Sequence, residues 1–555
     1  MLPLENVLNR MKGQFIFMIY SKEVLLKFTL LFFLGCVFLS PIIYAQAQQS
    51  NDDISTEITL TIEEAVQIAL INNYMIRNGL LDLEIANSQI RQAWGTVYPQ
   101  VNASANYTRN LQTPNPFAGS DAGNLFESFG AIDWLAFNEQ ARTDGDPNTS
   151  PITFDEYLDR LSQGYRDAGI TPPGLDGSNP FAVENQADLG ISVSQAIYNG
   201  AAFAAIKGAR QLRKVSEDQV DLERQSVVQQ VKQSFYTALL VKEQVDVLRS
   251  SVERLRDTVE DTRRSVEAGM LSRYDRISAE VELVNLETSL IEVENQSNLA
   301  LKNLSLQLGI PTSRKVIIRG ALEYNRDEFV ELYDIDTAYS LALQQRPDLS
   351  QTESLIGLLN VERDIAKSAY LPTISAFANA AYIGQVPSNR VSISAVEGQD
   401  FTFTSTERGF FDNAYWNPAV AVGLRLNWSI FNGFQTKMRV QQSQIEIKKA
   451  ENNIEFQKNA IYLEIEQAVQ NVETALKRIQ SQERNIEQAE LNYEFARTRL
   501  NEGAGNALQE RQASSLLDQS RLNYLSAVYD YLVAVSEYEK AIGKPVIDTE
   551  QFYED

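Results

Sequence analysis

Histidine is absent from this sequence, and cysteine occurs once, at Cys36. Without imidazole there is no Ser-His-Asp or Cys-His nucleophile pair, and most zinc sites are excluded. A lone cysteine excludes an intrachain disulfide. Basic residues are in short supply: 49 Lys and Arg against 73 Asp and Glu leave a net charge of −24. Such a chain is a poor partner for nucleic acid, whose phosphates need a basic surface. After residue 50 no apolar run is long enough for a spanning helix, so membrane entry beyond that point would have to use strands. Proline is missing from about 201 to 266, and glycine there stops at Gly208.

What is present describes an ordered protein. Hydrophobic residues make up 44% of the 555 and charged residues 22%, which argues against global disorder. At the N-terminus, Lys22 and Lys27 precede "FTLLFFLGCVFLSPIIYA", and Ala45-Gln46-Ala47 offers small residues for cleavage. This predicts an export signal peptide over 1–47, with translation starting at Met1, Met11 or Met18. A membrane anchor is the alternative, with Pro41 against it. Cys36 follows Gly35 as a lipoprotein cysteine would, but Val37-Phe38-Leu39 after it are not the polar residues usual there.

The rest is a two-fold repeat, the feature to settle first because it decides the fold. Ala65, Ala69 and Leu70 stand to Ala338, Ala342 and Leu343 as Pro99 stands to Pro372, without a gap. "SQAIYNG" (194–200) meets "NWSIFNG" (427–433). At one further shared spacing Gly269 meets Gly503, Ala279 meets Ala513, and "LGIP" meets "IGKP". The copies are assigned to 48–332 and 333–545, with 546–555 as a C-terminal tail.

Each copy runs helix, proline, strand, polar segment, strand, long helical hairpin. The strands are expected at about 100–110 and 188–198, then 373–383 and 419–431. The polar segments between them cover about 113–186 and 386–417, and "FDEYLDRLSQGYRDAG" within the first reads as a short amphipathic helix. In the strands apolar and polar residues alternate: Val420, Val422 and Leu424 on one face, Arg425 and Asn427 on the other. Alternation alone fits either a soluble sheet with one buried face or lipid-facing strands. Tyr107, Tyr198, Tyr382, Trp428 and Phe431 are placed for aromatic girdles. Four strands cannot close a barrel, so a spanning barrel would have to be shared between subunits.

The hairpins are expected at about 200–308 and 433–541. Val241, Val245, Leu248, Val252, Leu255, Val259, Thr262 and Val266 step by fours and threes, a heptad seam. Ile465, Val469, Val472, Leu476, Ile479, Ile486, Tyr493 and Leu500 repeat it in the second copy. The return arm carries two stripes, Leu283, Leu286, Leu290 and Val293 on one side and Ile277, Val281, Val284 and Ile291 on another. Two stripes predict two neighbours, as in a closed ring of helices; a plain antiparallel coiled coil accounts for only one.

In their order these pieces resemble the TolC-like outer membrane efflux protein family over about 58–545. They are "LTIEEAVQIALINN", "YPQVNASANY", "YLPTISAFANA", "IYNG", "IFNG", "AGMLSRYDRISAE", "LGIP" and "IGKP". The resemblance implies a mainly α fold with a membrane β-barrel. A homotrimer would share a twelve-stranded barrel in outer membrane lipid, continuous with a periplasmic helical barrel. It implies the exit duct of a tripartite efflux pump or type I secretion system, working with a periplasmic adaptor and an inner-membrane transporter. It implies no catalytic residue, cofactor or metal. The adaptor-contacting tips would be Gly269, Met270, Leu271 and Ser272, and Gly503, Ala504 and Gly505. Some members narrow the entrance with aspartates in a D-x-x-D pattern; the matching positions here are the neutral Gln509 and Gln512. Others latch it with a tyrosine and an arginine, which here are Leu500 and Gly505, so that Asp275 is expected to lack an arginine partner. The barrel lumen would be faced by Arg425 and Asn427. A periplasmic adaptor or a coiled-coil structural envelope protein are the alternatives, but neither calls for two hairpins whose glycine tips repeat at one spacing.

Overall fold

The structure, a computed structural model, describes residues 57–112, 122–145, 149–170, 183–325, 332–388 and 390–546, with side chains from 130 onward in the first helix after residue 121. The expected signal peptide, Cys36 and the tail beyond Val546 lie outside the described residues.

The elements run β1 (Glu57–Leu60), α1 (Ile62–Asn72), α2 (Tyr74–Gly95), β2 (Gln100–Arg109), α3 (Ala122–Thr143), α4 (Phe154–Asp167), β3 (Asn185–Tyr198), α5 (Gly200–Glu267), α6 (Arg273–Gln307) and β4 (Lys315–Ile318). The second half continues α7 (Ile335–Gln345), α8 (Pro347–Ser368), β5 (Thr373–Val386), β6 (Val391–Ala395), β7 (Phe403–Glu407), β8 (Trp416–Asn427), α9 (Gln435–Asn501) and α10 (Ala507–Ala541). The repeat is visible in lengths. α1 and α7 have 11 residues each, α2 and α8 have 22, α6 and α10 have 35, and α5 and α9 have 68 and 67. At about 1.5 Å per residue each long helix is roughly 100 Å.

Helix ends follow local chemistry. Thr61 and Glu64 form a capping box, the Glu64 N–H donating to Thr61 Oγ1 at 3.3 Å and the Thr61 N–H to Glu64 Oε2 at 2.8 Å. Asn73 and Arg346 break α1 from α2 and α7 from α8 at matching positions of the two copies. The hydrophobic core sits at mid-length of the long helices. Val227, Val231 and Phe235 of α5 and Ile461 and Ile465 of α9 meet Val528 and Tyr538 of α10 there, under α1 and the β1–β4 pair. That pair is parallel and joins Glu57 to Lys315, both by register and by a 2.5 Å ion pair. The heptad seams point inward: Val245, Val252, Leu255 and Thr262 are buried, as are Ile465, Val472 and Ile479.

β2, β3, β5 and β8 form one antiparallel sheet in that order. Register places Asn102, Ser104, Asn106, Asp188, Ser192, Ser194, Ser375, Asn379, Arg425 and Asn427 on one face. The other face carries Val101, Leu189, Ile191, Ile374, Val420, Val422, Leu424 and Leu426. It is bare: Val420, Val422 and Leu424 are 77%, 76% and 74% exposed. A soluble sheet would bury that face, so the lipid-facing alternative is the one the structure carries. From the Tyr198–Ile374–Leu426 level to the Tyr107–Ala187–Gly384–Trp416 level is ten steps along β5. At about 3.4 Å per residue and a tilt of about 40°, the apolar band is roughly 26 Å tall, the height of an outer-membrane barrel's.

Four strand limits differ from expectation. β3 starts at Asn185 and β5 runs on to Val386, because Asn185 pairs with Val386 and donates to its carbonyl at 3.0 Å. β8 begins at Trp416 rather than 419 and tolerates Pro418, since it is an edge strand of the chain's own sheet. It ends at Asn427 rather than 431. There the Trp428 indole turns back to donate to the Tyr370 carbonyl at 3.1 Å. Gly433 and Phe434, at φ of 64° and 63°, then swing the chain into α9. Trp416 closes the far end of the apolar band. Its indole lies over Gly384, where a Cβ would come within 2.6 Å, and stacks on Tyr382 at 5.3 Å.

The expected helix in the first polar segment is present as α4, joined by α3, which the pattern did not reveal. The second polar segment, expected as a loop, contains the β6–β7 hairpin. The two segments dock on each other through aromatic rings. Phe401 packs on Phe137 at 5.1 Å and Tyr157 at 5.4 Å, and Tyr165 stacks on Phe403 at 4.3 Å. A Cβ at Gly164 would meet the Phe401 carbonyl at 1.9 Å, so only glycine fits there.

Candidate functional site

The two hairpin tips share one construction. α5 ends in a left-handed Gly269 (φ 74°), whose N–H donates to the Val266 carbonyl at 3.0 Å while Met270 N–H reaches Ser265 at 2.8 Å. α9 ends in Gly503 (φ 70°), donating to Leu500 at 3.1 Å, while Ala504 N–H reaches Arg499 at 2.8 Å. Each is a glycine-capped helix end of the Schellman type, and each glycine has open space around it. The next helix opens on a polar cap, Ser272 for α6 and Asn506 for α10. Met270 is 72% exposed, Leu271 is half-buried, and Gly503, Ala504 and the half-buried Gly505 complete the second tip.

Asp275 acts within its own turn. It accepts from the Ser272 N–H at 3.1 Å and hydroxyl at 2.7 Å, closing a capping box. Those hydrogen bonds, with the Arg511 charge added, hold its carboxyl below the usual carboxylate range. Arg511, a residue that sequence comparison with tip 2 did not single out, is thus a cation whose charge reaches Asp275.

Behind the tips the two hairpins are tied by charge. Arg254 of α5 donates to the Asp518 carboxylate of α10 and, at 2.9 Å, to the Ser251 hydroxyl. Arg511 of α10 is buried, with Glu282 of α6 at 3.5 Å, and its Nε and Nη1 have no hydrogen-bond partner. Glu510 is buried beside Tyr493, Arg497, Arg511 and Arg254. Burial pushes its carboxyl above the usual range, against the pull of the Tyr493 hydroxyl and the three arginines. Burial, then the Glu510 charge, raises the Tyr493 phenol. Arg254, Asp518, Glu282, Glu510 and Arg511 line a cleft of about 340 Å³ that also reaches Leu286 and Ser289.

Gln509 and Gln512 are exposed on one face of α10, with Glu510 rotated inward between them; Leu500 is half-buried at the end of α9. Arg425 and Asn427 lie on the polar face of the sheet, about a helix-length away from the tips, so the expected residues form two separate sites. The ties Arg254–Asp518 and Arg511–Glu282 were missed, because nothing local marks a pairing between residues so far apart. Among the described residues no group of His, Cys, Asp and Glu could hold a metal, and no helix is long and apolar enough to cross a membrane.

A sheet bare on its apolar face and polar on the other, continuous with two long hairpins, defines the subunit of a channel that enters the membrane by strands. The outer membrane efflux protein family matches residues 175–310 and 338–544, and the chain belongs to that family. The fold is similar to that of CusC, with a TM-score of 0.61 and 16% identity over 87% of this chain and 92% of that one. It is similar also to the Campylobacter jejuni CmeC outer membrane channel (0.60, 15%, 87% and 85%) and to the outer membrane protein VceC of Vibrio cholerae (0.59, 13%, 87% and 96%). No curated protein matches the chain in sequence. The protein is thus an outer membrane efflux channel subunit, with its sheet in the outer membrane and its helices extending into the periplasm.

Proposed function

We propose that three copies of this chain close a twelve-stranded barrel and a helical tunnel. In this reading the assembly is the passive exit duct of a tripartite efflux pump or type I secretion system. One observation carries the trimer. β2 and β8 are both open edges of the chain's own sheet, and lipid cannot satisfy an unpaired strand edge, so other chains must complete the ring. The second stripe of α6 supports it. Ile277, Val281, Val284 and Ile291 are 48%, 55%, 60% and 59% exposed, an apolar seam with no neighbour inside the chain.

The substrate enters from an inner-membrane transporter through a periplasmic adaptor. The adaptor meets Gly269, Met270, Leu271 and Ser272, and Gly503, Ala504 and Gly505. Asp275, Leu500, Gln509 and Gln512 line the entrance, and the Arg254–Asp518 and Arg511–Glu282 ties hold it closed until the hairpins part. No step is catalytic: the duct conducts and the transporter supplies the energy.

The test is Gly269→Trp in the full chain. Heat-modifiable trimer in the outer membrane fraction is expected at the level of the unmodified protein, since the site has open space and only a left-handed φ is strained. Export by the partner pump is expected to be lost. An unchanged export phenotype would show that this tip meets no adaptor; absence of trimer from the unmodified protein would end the barrel reading.

A further inference from the structure

Only two ionisable side chains lie on the polar face of the four-stranded sheet, Asp188 and Arg425. They are not equivalent. Asp188 sits near the outer end, level with Ile383, and accepts from Asn106 Nδ2 at 2.9 Å. Arg425 sits near the inner end, level with Ser375. No carboxylate pairs with it among the described residues. Its guanidinium carbon lies 5.3 Å from the centroid of the Phe377 ring.

That ring is itself out of place. Phe377 is the one aromatic residue on a face that, apart from Asp188 and Arg425, is otherwise made of Asn, Gln, Ser, Thr, Gly, Ala and a single Ile. It lies against Gly423, its direct cross-strand partner, where a Cβ would come within 2.8 Å of Cζ. Glycine in mid-strand costs stability and marks close approach; here it lets the phenyl ring lie along the wall. Arg425, two residues on, stacks over the ring. A cation on an aromatic face is oriented without being neutralised, and a stacked guanidinium keeps its in-plane N–H donors free for a planar anion. The strand architecture thus builds a platform that holds a positive charge uncompensated.

We propose that the Arg425–Phe377 pair is an anion site in the channel wall. Repeated three times in the barrel, it forms a ring that draws carboxylate-, sulfonate- or phosphate-bearing solutes through an otherwise acidic protein. The proposal rests on the trimeric barrel reading above. The Asp188 ring does not cancel it. Eight steps along β5 separate the two levels, about 27 Å along the strand, against a screening length of about 8 Å at physiological salt.

The experiment reads the field locally. Ser375 faces Arg425 directly across the strand pair. A cysteine is placed there by Ser375→Cys in the full-length trimer. Its modification rates by an anionic sulfonatoethyl and a cationic trimethylammonioethyl methanethiosulfonate are measured by mass spectrometry at that residue, each relative to a free thiol. With Arg425 present the anionic reagent is expected to be favoured by roughly sevenfold at low salt, the ratio when a unit charge about 7 Å away in water attracts one reagent and repels the other. Adding Arg425→Gln is expected to abolish the preference, Arg425→Lys to keep most of it, and high salt to shrink it. Phe377→Leu retains the charge but frees the side chain, and is expected to weaken the preference. An anionic preference that survives Arg425→Gln, or is missing with Arg425 in place, overturns the site. If neither reagent reaches the cysteine in an intact trimer, residue 375 does not face water, and the barrel reading falls instead.

Discussion

Asn73 and Arg346 occupy matching positions in the two copies and make the same contact with different chemistry. Asn73 Nδ2 donates to the Gln307 carbonyl, at the end of α6, at 2.7 Å. Arg346 Nη1 donates to the Ala541 carbonyl, at the end of α10, at 3.1 Å. Each residue also separates two short helices, and each faces a left-handed glycine, Gly309 or Gly543, whose added Cβ would strike it or its neighbour. Arg346 adds a pair of hydrogen bonds to Asp348, at 3.0 and 2.9 Å, and one to Glu464 at 2.7 Å. Burial disfavours the Asp348 charge, but Arg346 outweighs it and holds the carboxyl below the usual range.

The two positions should therefore fail unequally. Arg346→Ala leaves Asp348 and Glu464 without their cation in a half-buried setting and is expected to cost about 3–5 kcal/mol. Asn73→Ala, which loses a cap and one hydrogen bond, is expected to cost about 1–2 kcal/mol. Urea midpoints followed by helical circular dichroism give the comparison. Because the Asp348 pKa is depressed, its contribution is present above the ordinary carboxylate pKa and is lost as pH falls through the folded value. The gap between unmodified protein and Arg346→Ala should accordingly narrow in acid.

Charge on the bare face of the sheet should block assembly. Val422→Arg places a cation on the lipid side near the middle of the apolar band and is expected to cost about 2–4 kcal/mol, seen as less heat-modifiable trimer. Asn427→Arg, on the polar side, should assemble normally. Equal yields would refute the face assignment.

Glu510 predicts a pH response at the entrance. Its folded pKa is raised, so its contribution to the closed packing is fully present below the ordinary carboxylate value and is lost as pH rises through the folded one. Hydrogen-exchange protection factors in the first turns of α10 should fall from acid to neutral pH. Glu510→Gln should flatten that slope and protect these turns at neutral pH. A slope unchanged by the substitution would assign the response to another group.

Gln509 and Gln512 predict a weakly cation-selective entrance. Gln509→Asp with Gln512→Asp puts two carboxylates per subunit on the exposed face of α10, where a narrow lumen focuses their field. Cation selectivity in planar bilayers should rise, and multivalent cations should begin to block. Strong multivalent block of the unmodified trimer would mean that other acids, such as Glu502, already form the ring.

Much of this fold is legible in the sequence because its signals are periodic. The strand faces follow from the alternation around Val422 and Leu424, the seams from Val245 to Thr262, and the repeat from Gly269 against Gly503. What escapes is non-local. β1 and β4 are four residues each, and "EITL" and "KVII" pair across most of the first copy with no local mark. Trp416 reads as loop because Pro418 follows it, yet that proline, two residues into β8, leaves the pairing with β5 intact. At the site, the glycine tips announce themselves through φ requirements. The Arg254–Asp518 and Arg511–Glu282 ties do not, since ordinary heptad surfaces are equally rich in charge.

The uncovered stripe on α6 has a consequence for the life of the chain before it becomes a channel. A newly exported copy crosses the periplasm with Ile277, Val281, Val284 and Ile291 wet and the apolar face of its sheet unshielded. In the proposed trimer both surfaces are covered only when two more copies arrive, so the dangerous interval shortens steeply as the local supply of copies rises. On that reading, holdase chaperones that bind apolar surface without stabilising a fold would limit channel number. A strain depleted of them should degrade this protein rather than accumulate it.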